Sequence, residues 1–279
     1  MVCSDVNHQL AFRASPRPET AKMIAEVDTW QINVPDRASL IEKILADVRA
    51  GQGGTVFTIN LDHLAKLRHD ATFRDAYRRA RYVSADGVPV VVLARAMGAK
   101  VERVTGADLV EPLCAAAAAA DIPVYFFGTS EKVLAVAVER LRAVCPGLSV
   151  SGIEAPPMGF DPLGEAAAEA ARRIAASGAG ICFVALGAPK QELFADAAVR
   201  AVDGVTYLGI GAALDFIAGH RVRAPRALQV VGLEWAWRAL QEPRRLIPRY
   251  FENGMWLVRY LGSLLTRGGS PAPRPDREA

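Results

Sequence analysis

Short, continuously apolar runs alternate with helical periodicities along most of this chain, and that alternation limits the fold more than any other feature. TVFTIN (55–60), PVYFF (123–127), GICFVAL (180–186) and VTYLGI (205–210) lack the polar–apolar alternation of a half-exposed strand. Strands of this kind are buried on both faces, as in a parallel sheet. Further short strands are expected at 29–34, 82–84 and 148–152. Between them lie helix signals. Asp36 can cap a helix whose apolar face is Leu40, Ile41, Ile44, Leu45 and Val48. Helices are also expected over 61–80, 88–97, 107–120, 130–144, 161–176 and 189–200, with another opening at Gly211. The expected class is α/β: a Rossmann-like, mostly parallel sheet with helices on both faces.

The pattern divides the chain. Residues 1–27 are Pro-containing with weak periodicity and read as an irregular tail. Residues 28–219 make the α/β core. Residues 220–267 carry no strand signal and are broken by Pro225, Pro243 and Pro248, which predicts a helical appendage. Residues 268–279 (GGSPAPRPDREA) have the composition of a disordered end. From Arg221 to Arg267 there are nine arginines against three glutamates, a net of +6, while the whole chain is +3. The rest is therefore −3. A basic segment on a slightly acidic body suits an anionic partner, phosphate or lipid head group, although a solvated basic face has the same composition.

Other classes are disfavoured. A net charge of +3 gives no reason to expect a nucleic-acid partner. Cys3, Cys114, Cys145 and Cys182 have no CxxC spacing and read as reduced thiols of a cytosolic protein. The first 25 residues show no secretory signal, and no stretch is apolar enough to span a bilayer. His8, His63, His69 and His220 make no metal-ligand spacing, so no metal is expected, and no cofactor is expected either. There is no GxSxG elbow and no phosphate-binding GxxxxGK[ST] loop.

In an open parallel sheet, ligands bind beyond the carboxyl ends of the strands. Polar or glycine-rich signals fall there. Thr58 and Asn60 close one strand, and Asp86-Gly87 follows another. An acid at a strand end suits a general base on a rigid platform, and an Asp-Gly turn would look the same. Gly128, Thr129 and Ser130 lie between strand and helix, where free amides attract phosphate. Gly187-Ala188-Pro189-Lys190-Gln191-Glu192 opens a helix whose first turn would face a ligand. Gly209-Ile210-Gly211 resembles half of a dinucleotide fingerprint, but Leu214 stands at the third glycine position.

Seven segments, in order from about Trp30 to Tyr250, resemble the bacterial WecG/TagA/CpsF glycosyltransferases (glycosyltransferase family 26). They are TINLDHL (58–64), YVSADGVPVV (82–91), ERVTGADL (102–109), YFFGTSEKV (125–133), LGAPKQE (186–192), GIGAALDFIAG (209–219) and RAPRALQVVGLEWAWRALQEPRRLIPRY (223–250). The resemblance implies an inverting, metal-independent transfer from a UDP-sugar donor to a polyprenyl-diphosphate-linked acceptor. It implies Asp86 as the general base, with Thr58 and Asn60 beside it. Arg103, Thr105, Gly106 and Asp108 would line the pocket. Gly128, Thr129, Ser130 and Gly187 would belong to the nucleotide site, and Gln191 would face donor or acceptor. With no metal, arginines must carry the diphosphate charge, and Arg221, Arg223 and Arg226 are the candidates.

The resemblance also implies that the appendage docks on a membrane. Residues 249–267 mix Trp256, Leu257, Tyr260, Leu261, Leu264 and Leu265 with Arg249, Arg259 and Arg267, which suits an in-plane helix, although a helix packed on the body or on a second subunit has the same composition. An anionic membrane surface, a cytoplasmic location at the inner face of the cell membrane and a homo-oligomer are the corresponding expectations. Two competing functions use the same features: a nucleotide-dependent oxidoreductase, and a membrane assembly protein that binds UDP-sugar without turnover.

Overall fold

A computed structural model describes residues 23–266. Its centre is a six-stranded parallel sheet formed by β3 (Gly54–Ile59), β4 (Tyr82–Ala85), β5 (Val124–Gly128), β6 (Val150–Glu154), β7 (Ile181–Ala185) and β8 (Thr206–Gly209), in the order β4-β3-β8-β7-β5-β6. Alternate side chains of one strand point to opposite faces. Phe57, Phe127, Val184 and Tyr207 accordingly enter one core, while Val56, Phe126, Phe183 and Leu208 enter the other. Both faces are covered, which explains the continuously apolar strand sequences.

Helices α1 (Arg37–Arg49), α5 (Gly106–Ala119), α6 (Glu131–Val144) and α9 (Ala213–Ile217) contribute to the Phe126–Phe183 core. Helices α2 (Leu61–Leu67), α3 (Ala71–Arg79), α4 (Val88–Ala96), α7 (Glu165–Ala176) and α8 (Lys190–Ala201) cover the other face. Phe194 of α8 stacks on Phe127 with ring centroids 4.5 Å apart. β5 connects outward to the edge strand β6, whereas β7 leads back to β8. The chain therefore diverges between β5 and β7, and the ligand cleft of a sheet wound this way belongs at its carboxyl ends.

Several expectations need correction. Residues Ala25–Val27 form β1, so the irregular tail does not extend to residue 27. The rest of that expected tail, residues 1–22, lies outside the described residues, as does the end at 268–279. The strand expected over 29–34 is β2 (Trp30–Ile32), which pairs antiparallel with β1 outside the main sheet. Asp28 and Thr29 make the two-residue turn at φ 48° and 71°, the geometry that hairpin twist demands. The helix expected over 61–80 is two helices. Asp70 caps the second by accepting from the Phe73 amide at 2.9 Å, and this local bond outcompetes helix continuation.

The C-terminal segment forms α10 (Arg226–Val230), α11 (Glu234–Gln241) and α12 (Pro243–Thr266). α12 lies on α2, and Trp256 and Tyr260 are buried in the main core, with Leu257 and Leu264 packed against it. Arg249 forks onto Asp62 of α2. These residues, expected at a membrane surface, instead hold the appendage to the body. Of the expected apolar residues only Leu261 and Leu265 face outward, in a stripe with Ile247, Phe251, Met255 and Val258, spaced three or four apart along one helix face.

Candidate active site

Asp86 stands one residue past β4. The pairing of Thr58 with Ser84 and Ile59 with Ala85 sets it beside the end of β3, and its amide donates to the Ile59 carbonyl at 2.9 Å. Thr58 Oγ1 and Asn60 Nδ2 each donate to Asp86 Oδ2 at 3.4 Å. Asn60 also caps α2 through its Oδ1, which accepts from the His63 amide at 3.1 Å. Burial raises the Asp86 pKa above the ordinary carboxylate value. The positive charge of Arg238, the Asn60 hydrogen bond and Arg103 oppose that shift, while Glu234 adds to it. A carboxylate with raised pKa is a better proton acceptor.

Facing Asp86 is a bank of charges from two regions of the chain. The Val104 amide donates to the Ala85 carbonyl at 2.9 Å, which brings Arg103 to the strand end. Arg103 lies 3.7 Å from Asp108 and 3.5 Å from Glu234. Arg223 lies 2.8 Å from Asp108 and 4.0 Å from Glu234, and Arg238 bonds Glu234 at 2.8 Å. Three arginines thus converge on two carboxylates, one from the core and one from α11. Guanidinium groups so arranged suit phosphate oxygens.

The other expected residues separate by location. Thr105 is buried and caps α5, accepting from the Asp108 amide and donating to Asp108 Oδ2 at 2.9 Å. Gly106 lies where α5 crosses β8: a Cβ there would come within 2.8 Å of the Ile210 Cα. Gly128 has φ 120°, and its Cβ would meet the Ala185 carbonyl oxygen at 2.5 Å. These two glycines are set by backbone packing. Thr129 Oγ1 lies 3.5 Å from Asp215 Oδ2 just past β5, and Ser130 caps α6. Gly187 turns the chain between β7 and α8 at φ 74°. Arg221 approaches Asp215 at 4.0 Å and pairs with Glu242. Arg226 is exposed and has no ion pair with another described residue, so it stands apart from the charge bank.

Behind the strand ends lies a buried polar chain that joins Thr58, Gln191 and Glu192, placed near a ligand from the sequence, to His63 and Tyr77, which were not. His63 Nδ1 lies 2.6 Å from the Thr58 carbonyl, to which Tyr77 also donates at 3.0 Å. A carbonyl only accepts, so His63 carries its proton on Nδ1. Burial lowers the His63 pKa to about 4. Its Nε2 lies 3.9 Å from Glu192 Oε1, and the Glu192 carboxyl is pushed up to about 7 by burial. Glu192 Oε1 accepts from Gln191 Nε2 at 2.7 Å, and Gln191 Oε1 accepts from the Gly211 amide at 2.9 Å. Glu234, Arg238 and Asp215 were also missed. The i,i+4 spacing of Glu234 and Arg238 on a Trp-rich helix was the available signal.

A doubly wound parallel sheet whose carboxyl-end cleft sets one carboxylate before clustered arginines defines a protein suited to group transfer from an anionic donor. The particular family follows from comparison: residues 25–269 match the model of the glycosyl transferase WecG/TagA/CpsF family. The chain belongs to that family, which implies a nucleotide-sugar donor and an acceptor. No helix among the described residues is long and apolar enough to cross a membrane.

Proposed function

We propose that this chain is an inverting transferase that moves a hexosyl group from a UDP-sugar to a polyprenyl-diphosphate-linked saccharide. The observation that carries this reading is Asp86, held by Thr58 and Asn60 and facing Arg103, Arg223 and Arg238. Asp86 takes the proton from the acceptor hydroxyl. The acceptor oxygen forms a bond to the anomeric carbon from the face opposite the nucleotide. The bond from that carbon to the diphosphate oxygen breaks, and UDP leaves with the electron pair. One base and a stabilised leaving group suffice for this displacement. The arginines supply the positive charge, so the transfer is proposed to proceed without a metal.

The location proposed is the cytoplasmic face of the cell membrane, by peripheral contact. The outward stripe of Ile247, Phe251, Met255, Val258, Leu261 and Leu265 supports it, with the exposed Arg244 and Arg259 on the same helix. Apolar groups flanked by cations suit a helix lying at a lipid surface. The donor sugar proposed is N-acetylmannosamine, its uronic acid or glucose, used in cell-surface polysaccharide assembly. The test is transfer from a panel of UDP-sugars to a short-chain polyprenyl-diphosphate-sugar, with and without EDTA. Product from one donor, insensitive to EDTA, is expected. Tight UDP binding with no product from any donor, or product lost in EDTA, contradicts it.

A further inference from the structure

Gln191 is buried, and each end of its amide is occupied. Oε1 faces the Gly211 amide at 2.9 Å, which only donates, so Nε2 must face Glu192 Oε1 at 2.7 Å. Gly211 belongs to the loop leading from β8 to α9 at the carboxyl end of the sheet. A Cβ on Gly209 would strike the Gln191 amide, so this side chain lies flat against the end of β8. On its other side Glu192 Oε1 is 3.9 Å from His63, whose Nδ1 is bound to the Thr58 carbonyl. Thr58 carries the hydroxyl that donates to Asp86. A buried chain therefore runs from the β8–α9 loop to the strand end holding the candidate base, hydrogen-bonded except for the 3.9 Å packing contact between His63 and Glu192. Glu192 is its central member, fully buried, with Oε2 lacking a partner among the described residues.

We propose that Glu192 is a positioning residue of the transferase: it fixes the Gln191 amide and thereby the Gly211 loop, in register with Thr58 and Asp86. Neither its carboxyl nor His63 opens onto the cleft. Their action is through Gln191 and the Thr58 carbonyl. The geometry requires an acceptor at the Glu192 Oε1 position. It does not require a negative charge, so Gln is an adequate substitute and an apolar side chain of similar volume is not.

This rests on the transferase reading, and the test separates the two. E192Q, E192M, Q191M and the double variant Q191M/E192M are compared for transfer kinetics, thermal melting and amide exchange at Gly211. E192Q is expected to keep parental kcat and a protected Gly211 amide. E192M is expected to lose kcat by roughly tenfold to a hundredfold, with a smaller change in donor KM. Gly211 should exchange faster in E192M well below its melting temperature. The double variant should be no slower than Q191M alone, because both changes break one chain. Independent, multiplying losses overturn the proposal, as does an unchanged Gly211 exchange rate in E192M. Should E192M not fold, the pair Q191M and E192Q carries the same decision: the first must free Gly211 and the second must hold it. The exchange readout needs no substrate, so it stands even if an active Asp86→Ala variant removes the assigned base.

Discussion

Replacing Glu192 with Gln should change the pH dependence of stability by a predictable amount and sign. The Glu192 carboxyl has its pKa raised from 4.5 to about 7 by burial. The folded protein therefore binds one more proton than the unfolded chain between those values. Stability falls with pH wherever the folded state holds the extra proton. The loss starts near pH 4.5 and is complete above pH 7. A shift of two and a half units corresponds to about 3 kcal/mol. Gln at this position does not titrate. The stability of E192Q relative to the parent should therefore rise by about 3 kcal/mol from pH 4 to pH 8. Equilibrium urea unfolding of both proteins at several pH values measures it. A difference that stays flat across this range would mean that Glu192 titrates alike in both states. A difference that falls with pH would mean an ionised Glu192 paired with a charged His63, contrary to the burial that lowers the His63 pKa to about 4.

Three further outcomes follow from the geometry. The buried Tyr207 hydroxyl has no hydrogen-bond partner among the described residues, so Tyr207→Phe should stabilise the fold by about 1 kcal/mol in urea unfolding. Gly128→Ala combines φ 120° with a Cβ 2.5 Å from a backbone oxygen and should cost about 2 to 6 kcal/mol by the same measurement. Arg238→Met should weaken UDP binding by roughly tenfold to a hundredfold in calorimetry. It should also move the acidic limb of the transfer rate to higher pH. Arg238 is the strongest influence lowering the Asp86 pKa, so its loss leaves the base protonated to higher pH.

The α/β class was legible because the parallel strands are buried on both faces and so read as unbroken apolar runs. The strand ends followed from it, and with them Thr58, Asn60 and Asp86. Their proximity was implied by the family resemblance alone and not by the residues, since it depends on β3 pairing β4 in a register that brings Thr58 opposite Ser84. The β1–β2 hairpin was missed because Asp28-Thr29 makes its positive-φ turn without the glycine that marks such turns. The buried chain through His63 and Glu192 was invisible for a different reason. His63 lies on α2 and Glu192 on α8, more than a hundred residues apart, and only packing against β3 and β8 brings them together. On α12, interfacial composition alone did not reveal which apolar residues face inward. Trp256 and Tyr260 do, because the helix lies on α2 with Arg249 anchored to Asp62.

The proposed transfer stands or falls on Asp86 acting as the base. The decisive measurement is the transfer rate of Asp86→Asn and Asp86→Ala at saturating donor, with UDP affinity and melting temperature measured on the same preparations. The prediction is intact folding and UDP binding with a rate reduced by about a hundredfold to ten-thousandfold. Transfer at the parental rate in either variant would contradict it.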